Sequence, residues 1–148
     1  MVNYENHLEK REIQKKIFPF IKRRKMITLA GPNLVNYLNM IPERVKDIQV
    51  YEKDKKVMEV QLPQIPRVAR TVSYHFTDII YAEAKKDTFY DLDFCCTIKG
   101  AERHLRKFKD CAFSITLSLR PVGLEETLER FFKTCEEKII ENIPNPFY

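Results

Sequence analysis

Only three glycines occur in the 148 residues, Gly31, Gly100 and Gly123, so there is no G-x-G-x-x-G loop to admit a pyrophosphate to a helix N-terminus. That absence argues against a dinucleotide-dependent oxidoreductase. No apolar run approaches the roughly 20 residues that span a bilayer. The opening MVNYENHLEKREIQKK is charged and holds no signal-like apolar core, so the expectation is a cytoplasmic protein without membrane contact. The four cysteines, Cys95, Cys96, Cys111 and Cys135, lack C-x-x-C spacing, and adjacent Cys95 and Cys96 cannot form an ordinary disulfide. Buried thiols are expected, with one bridge such as Cys96 to Cys111 left open. His7, His75 and His104 are scattered and join no ligand cluster, so no metal site is expected.

What is present is an ordinary globular balance, 44% apolar and 32% charged, in a chain long enough for one domain with one core. The expected domain is 1–148, with a basic N-terminal helix over about 4–22. The net charge of +5 leans gently towards an anionic partner. Basic residues gather at Lys15-Lys16, at Lys22 to Lys25 (KRRK), and at Arg103, Arg106, Lys107 and Lys109. Each run also reads as a solvated face.

Hydrophobic periodicity gives the order of elements. Leu8, Ile13, Ile17 and Ile21 share one helical face, with a kink or early end at Pro19. Met26 to Ala30 is a short buried-type strand, turned at Gly31-Pro32-Asn33, and Leu34, Val35, Leu38 and Ile41 form a helical stripe stopped by Pro42. Ile48 to Tyr51 is a second strand closed by Glu52-Lys53-Asp54, and a short helical pattern follows over 55–62. A third strand covers Val72 to Phe76 and ends at Thr77-Asp78; a fourth covers Thr88 to Leu92 within TFYDLDFCCTI. Gly100 to Lys107 is a basic helix. CAFSITLSLRP is the clearest strand, with Phe113, Ile115, Leu117 and Leu119 alternating with small residues as at an edge or near a partner. The last helix, from Gly123, places Leu124, Leu128, Phe131, Phe132, Cys135 and Ile139 inward. Alternating strands and helices predict an α/β fold: an open, mostly parallel five-stranded sheet in order 3-2-1-4-5 with helices on both faces.

In this order of elements, the turn LAGPN ends strand one, Glu52 ends strand two, Asp78 follows strand three, and DLDF (Asp91 to Phe94) ends strand four. In an open parallel sheet, ligands sit beyond the carboxyl ends of the strands where strand order reverses. Over roughly residues 20–140 the series resembles a class I S-adenosylmethionine-dependent methyltransferase. The resemblance implies a Rossmann-like methyltransferase fold, here lacking the terminal hairpin, with S-adenosylmethionine as cofactor. It implies that Ala30, Gly31 and Pro32 approach the cofactor, that Glu52 accepts the ribose hydroxyls, and that Asp78 meets the adenine amine. Asp91 and Phe94 match the first and fourth positions of the motif found in amino-methylating nucleic-acid enzymes, as hydrogen-bond acceptor and base platform; Leu92 and Asp93 replace its two prolines. The terminal NPFY, Asn145 to Tyr148, lies closer to that motif in letters, but follows a helix and reads as a terminal turn.

The expected activity is methyl transfer, with nucleic acid the favoured substrate given the basic runs. A homodimer through the fifth-strand edge or the C-terminal helix is the expected assembly. The sparse first-loop glycines and absent hairpin leave an alternative: a catalytically inactive methyltransferase-like binding or assembly module. Residue by residue, bland readings stand beside the sharp ones. Glu52 also reads as a solvated acid, Asp78 as a helix cap and Phe94 as core. A magnesium nuclease using Asp91 and Asp93 lacks a third acid placed by the sequence.

Overall fold

The computed structural model describes residues 8–94, 96–119 and 122–135. The expectations that fall on residues 4–7, Cys95, Pro121, Ile139 and Asn145 to Tyr148 lie outside the described residues. Five strands form one sheet: β1 (Lys25–Thr28), β2 (Asp47–Glu52), β3 (Val72–Phe76), β4 (Thr88–Asp93) and β5 (Ala112–Thr116). All neighbours pair in parallel, in the order β3-β2-β1-β4-β5. This is the expected α/β sheet. Strand order reverses at β1, which pairs Thr28 with Val50 on one side and with Asp91 on the other.

Five α-helices accompany the strands: α1 (Leu8–Ile17), α2 (Leu34–Asn39), α3 (Lys55–Gln61), α4 (Ile98–Phe108) and α5 (Leu124–Cys135). Strand alternation sends neighbours to opposite faces, so β1 feeds two cores. Met26 joins Phe18, Leu34, Tyr37, Leu38 and Ile48 on the face of α1 and α2. Ile27 joins Ile79, Tyr90, Leu92 and Phe108 on the face of α4. A third cluster of Ile98, Leu105 and Cys135, with Phe113, Ile115 and Phe131 against it, seats α5 on α4 and β5.

Local chemistry sets the boundaries. Pro19 ends α1 in a short 3-10 turn, Phe18–Phe20. Asn33 caps α2 by accepting from Asn36 N at 3.4 Å, and Asp54 caps α3 by accepting from Lys56 N at 2.8 Å. A 3-10 segment, Leu62–Arg67, runs on from α3.

Several details differ from the expected pattern. The buried face of α2 is Leu34, Tyr37 and Leu38, and Val35 is only half-buried. β5 is shorter than CAFSITLSLRP suggested, stopping at Thr116. Leu124 opens α5 44% exposed, while Thr127 and Cys135 are buried. Cys96, Cys111 and Cys135 form no disulfide with one another. Among the described residues no helix is long and apolar enough to cross a membrane.

Leu38 is fully buried where α2 meets the sheet. Leu38→Ala is therefore expected to lower unfolding free energy by about 2–5 kcal/mol, read as a reduced urea midpoint at unchanged slope. A loss below about 1 kcal/mol would contradict this packing.

Candidate functional site at the carboxyl ends of the strands

β1 hands over to α2 through Leu29 to Asn33. Gly31 takes φ +72°, a left-handed conformation that suits glycine, and nothing lies within 4 Å of where a Cβ would stand. The turn is tied from one side by two glutamines. Gln61 Nε2 donates to Gly31 O at 2.6 Å, and Gln64 Nε2 donates to Pro32 O at 2.6 Å while Gln64 Oε1 accepts from Val35 N at 3.1 Å. Tyr74 Oη donates in turn to Gln61 Oε1, and Gln61 is fully buried. Ala30 is buried in the α1–α2 core, and Pro32 is half-buried.

Glu52 is the last residue of β2 and pairs in register with Phe76, the last of β3, which is 52% exposed. One Glu52 oxygen accepts from Asp54 N at 2.7 Å. Burial raises the Glu52 pKa, opposed by the Asp54 and Lys53 amides. The next residue, Lys53, reaches Asp78 at 3.5 Å.

Asp78 sits where the chain leaves β3. It caps the 3-10 turn Ile79–Tyr81 by accepting from Ile80 N at 3.0 Å, so the capping reading holds. Its carboxylate also meets Arg103 Nη2 at 3.0 Å and His104 Nε2 at 3.1 Å. Burial pushes the Asp78 pKa up, but the Ile80 amide, His104 and Lys53 together outweigh it and hold the carboxyl below its usual range. Burial likewise lowers the pKa of His104. The neutral imidazole therefore donates from Nε2 to Asp78, and Nδ1 is left buried without a hydrogen-bond partner. The His104 ring lies 4.6 Å from that of Phe94. Glu52, Lys53, Asp78, His104 and Phe94 thus form one continuous rim.

Asp91 does not reach this rim. Its side chain points to the α1–α2 face, opposite Phe94, which packs on the α4 side. Asp91 is 3% exposed, and both carboxylate oxygens are engaged, by Tyr37 Oη and by Ser114 Oγ at 2.7 Å. Because the Tyr37 hydroxyl gives its proton to Asp91, it accepts from Thr28 Oγ1 in the contact they share. The small face of β5 is explained by this contact: Ser114 pairs with Asp91 in the ladder and donates to it. Asp93, on the same face, is ion-paired to Lys10 of α1, and its Oδ1 is buried without a partner. Burial, then the Asp93 charge, push the Asp91 pKa up to about 6, against the pull of Ser114, Tyr37 and Lys10. Burial, then Asp91, raise the Tyr37 pKa well above 10.

Sequence reasoning set Gly31, Glu52, Asp78 and Asp91 together along the carboxyl ends of the strands, with Phe94; Asp91 is instead sealed on the α1–α2 face, and Tyr37, Lys10, His104 and Ser114 were missed. Tyr37 was legible in principle, since it lies three residues after Leu34 on the buried stripe. No protein-family model matches the chain, and no curated protein is significantly similar to it. Among the described residues no group of three or more metal-ligating side chains occurs.

The Asp91 value carries a signed consequence. An unfolded aspartate titrates near 3.9, so the folded form holds the proton more tightly. The stabilisation from this group is fully present below about pH 4 and is lost as pH rises through 6. Between pH 7 and pH 5 the wild type is expected to gain about 1.3 kcal/mol relative to Asp91→Asn, measured by urea unfolding at both pH values. Parallel pH profiles for the two proteins would contradict it.

Proposed function

We propose that the chain is a small S-adenosylmethionine-dependent methyltransferase of Rossmann-like fold, with nucleic acid as methyl acceptor. The observation that carries this reading is the turn at Gly31. It lies directly beyond β1, where strand order reverses, with open space over its α-carbon and with Glu52 ending the neighbouring strand. A cofactor without phosphates asks for close backbone approach and a carboxylate acceptor for two ribose hydroxyls, and Gly31 and Glu52 offer both. Bound there, the cofactor supplies an activated methyl group, so the chain's own work is alignment. Gln61 and Gln64 hold the turn, so that little ordering is needed on binding.

The other residues take adjusted roles in the proposal. Asp78 is engaged by three cationic or histidine side chains and shapes the rim instead of offering a free acceptor to adenine. Asp91, sealed by Tyr37 and Ser114, positions Tyr37 and the end of β4. Asp93 is turned to the α1–α2 face and ion-paired to Lys10, so a main-chain carbonyl at the end of β4 is the acceptor left for a target amine, with Phe94 on the α4 side as the base platform. The exposed cations Lys99, Arg103 and Arg106 of α4 give the rim a positive flank suited to phosphates.

The engagement of Asp78 and Asp91 favours a second reading, a methyltransferase-like module that binds without catalysis. Thermal unfolding with S-adenosylmethionine and S-adenosylhomocysteine separates them. Ligand at about 100 times its dissociation constant adds roughly 2.7 kcal/mol. A rise in Tm that is lost in Glu52→Ala supports cofactor binding, and radiolabelled methyl transfer to RNA or DNA then supports catalysis. No rise with either ligand removes the enzyme reading.

A further inference from the structure

The crossover from β3 to β4, residues 77–87, contains no α-helix, only the 3-10 turn Ile79–Tyr81. Ile79 and Ala82 bury themselves against Ile27, Tyr90 and Leu92, so this crossover covers β1 and β4. The α4-side face of β2 and β3 is left with Gln49, Tyr51, Ser73 and His75, of which Ser73 is exposed, Gln49 and His75 half-buried and Tyr51 buried. Tyr51 and His75 stack with centroids 4.5 Å apart and planes at 17°, and His75 Nε2 is buried without a hydrogen-bond partner. Tyr81 stands at the margin, 75% exposed. A cavity of about 310 Å³ lies against this face, lined by Lys25, Gln49, Tyr51, Tyr81 and Lys85 among others. Its lining includes the first residues of β1, β2 and β4, Lys25, Asp47 and Thr88, and does not include Gly31.

The charge around it is cationic. Arg23 Nε donates to Lys86 O at 3.0 Å, which brings the run Lys22 to Lys25 beside Lys85-Lys86. Those six cations meet three acids, Asp47, Glu83 and Asp87, two of which pair with Lys85 at 2.9 Å and Lys25 at 3.6 Å. An exposed aromatic ring, Tyr81, at the margin of a cavity walled by Tyr51 and flanked by excess cations suits a ligand with flat bases and a phosphate chain. An acidic peptide would match the charge but would leave the exposed Tyr81 ring and the Tyr51 wall of the cavity without use.

We infer that this face binds single-stranded nucleic acid, a base packing at Tyr81 over the cavity that Tyr51 lines and phosphates lying along Lys25 and Lys85. The inference rests on the cavity, the exposed Tyr81 and the charge of this face, and holds whether or not the chain transfers methyl groups. The test is fluorescence anisotropy of the full chain with a labelled oligothymidylate across a salt series. Wild type is expected to bind with strong salt dependence. Lys25→Glu with Lys85→Glu is expected to weaken binding at least tenfold and to make the salt slope shallower by about 1.4, for two lost phosphate contacts. Tyr81→Ala is expected to weaken it about fivefold or more with the slope unchanged. All these side chains are substantially exposed, and the unliganded Tm verifies folding. The S-adenosylhomocysteine thermal shift is expected to survive in the double variant, which separates failure of this face from failure of the cofactor reading. The inference is overturned by absence of binding at low salt, by variants that bind like wild type, or by a polyglutamate peptide that binds as tightly and ignores Tyr81→Ala.

Discussion

One buried carboxylate joins most of the molecule. Asp91 lies in β4 between β1 and β5, and its two oxygens take hydrogen bonds from Tyr37 of α2 and Ser114 of β5. Tyr37 in turn contacts Thr28 of β1 and packs edge-on against Phe18, which follows α1. Asp93, two residues on, holds Lys10 of α1. A carboxylate with so little water around it is tolerable only because both oxygens have donors and an ammonium lies close by. Even so it is held far less acidic than usual. The arrangement fixes the end of β4 relative to α1 and α2.

Strand order brings two sets of groups to the end of β1. β1 has β2 on one side and β4 on the other, and the chain leaves their carboxyl ends in opposite directions. The Gly31 turn and Glu52 line one side, tied through Gln61 and Gln64 to α3 and the turn after it. Asp78, His104 and Phe94 line the other, tied to α4. Lys53 bridges them by its ion pair with Asp78. Two sets of contacts thus order the groups on the two sides before any ligand arrives.

The sequence disclosed the order of elements well and their interactions poorly. Short apolar runs ended by Gly31-Pro32, Pro42 and Pro121 made the strand and helix sequence legible, and right-handed crossovers left 3-2-1-4-5 as the natural topology. The alternation in β5 correctly indicated an edge strand, and its small residues have a physical cause in Ser114 facing Asp91. Contacts such as Asp78 with His104, 26 residues apart, leave no periodic signature, because they depend on how α4 lies over the crossover. The same applies to Lys10 and Asp93. The alternation did place Asp91 and Asp93 on one face, but it could not say that this face was sealed by Tyr37.

The central claim is that the lips formed by Gly31 and Glu52 receive an adenosyl group. Amide ¹H–¹⁵N correlation spectra of the labelled chain, recorded with increasing S-adenosylhomocysteine, address it most directly because they report position as well as binding. The account predicts saturable shifts concentrated at Gly31, Glu52 and Lys53. Unchanged spectra at millimolar ligand, or shifts confined to residues away from the carboxyl ends of β1 and β2, would contradict it.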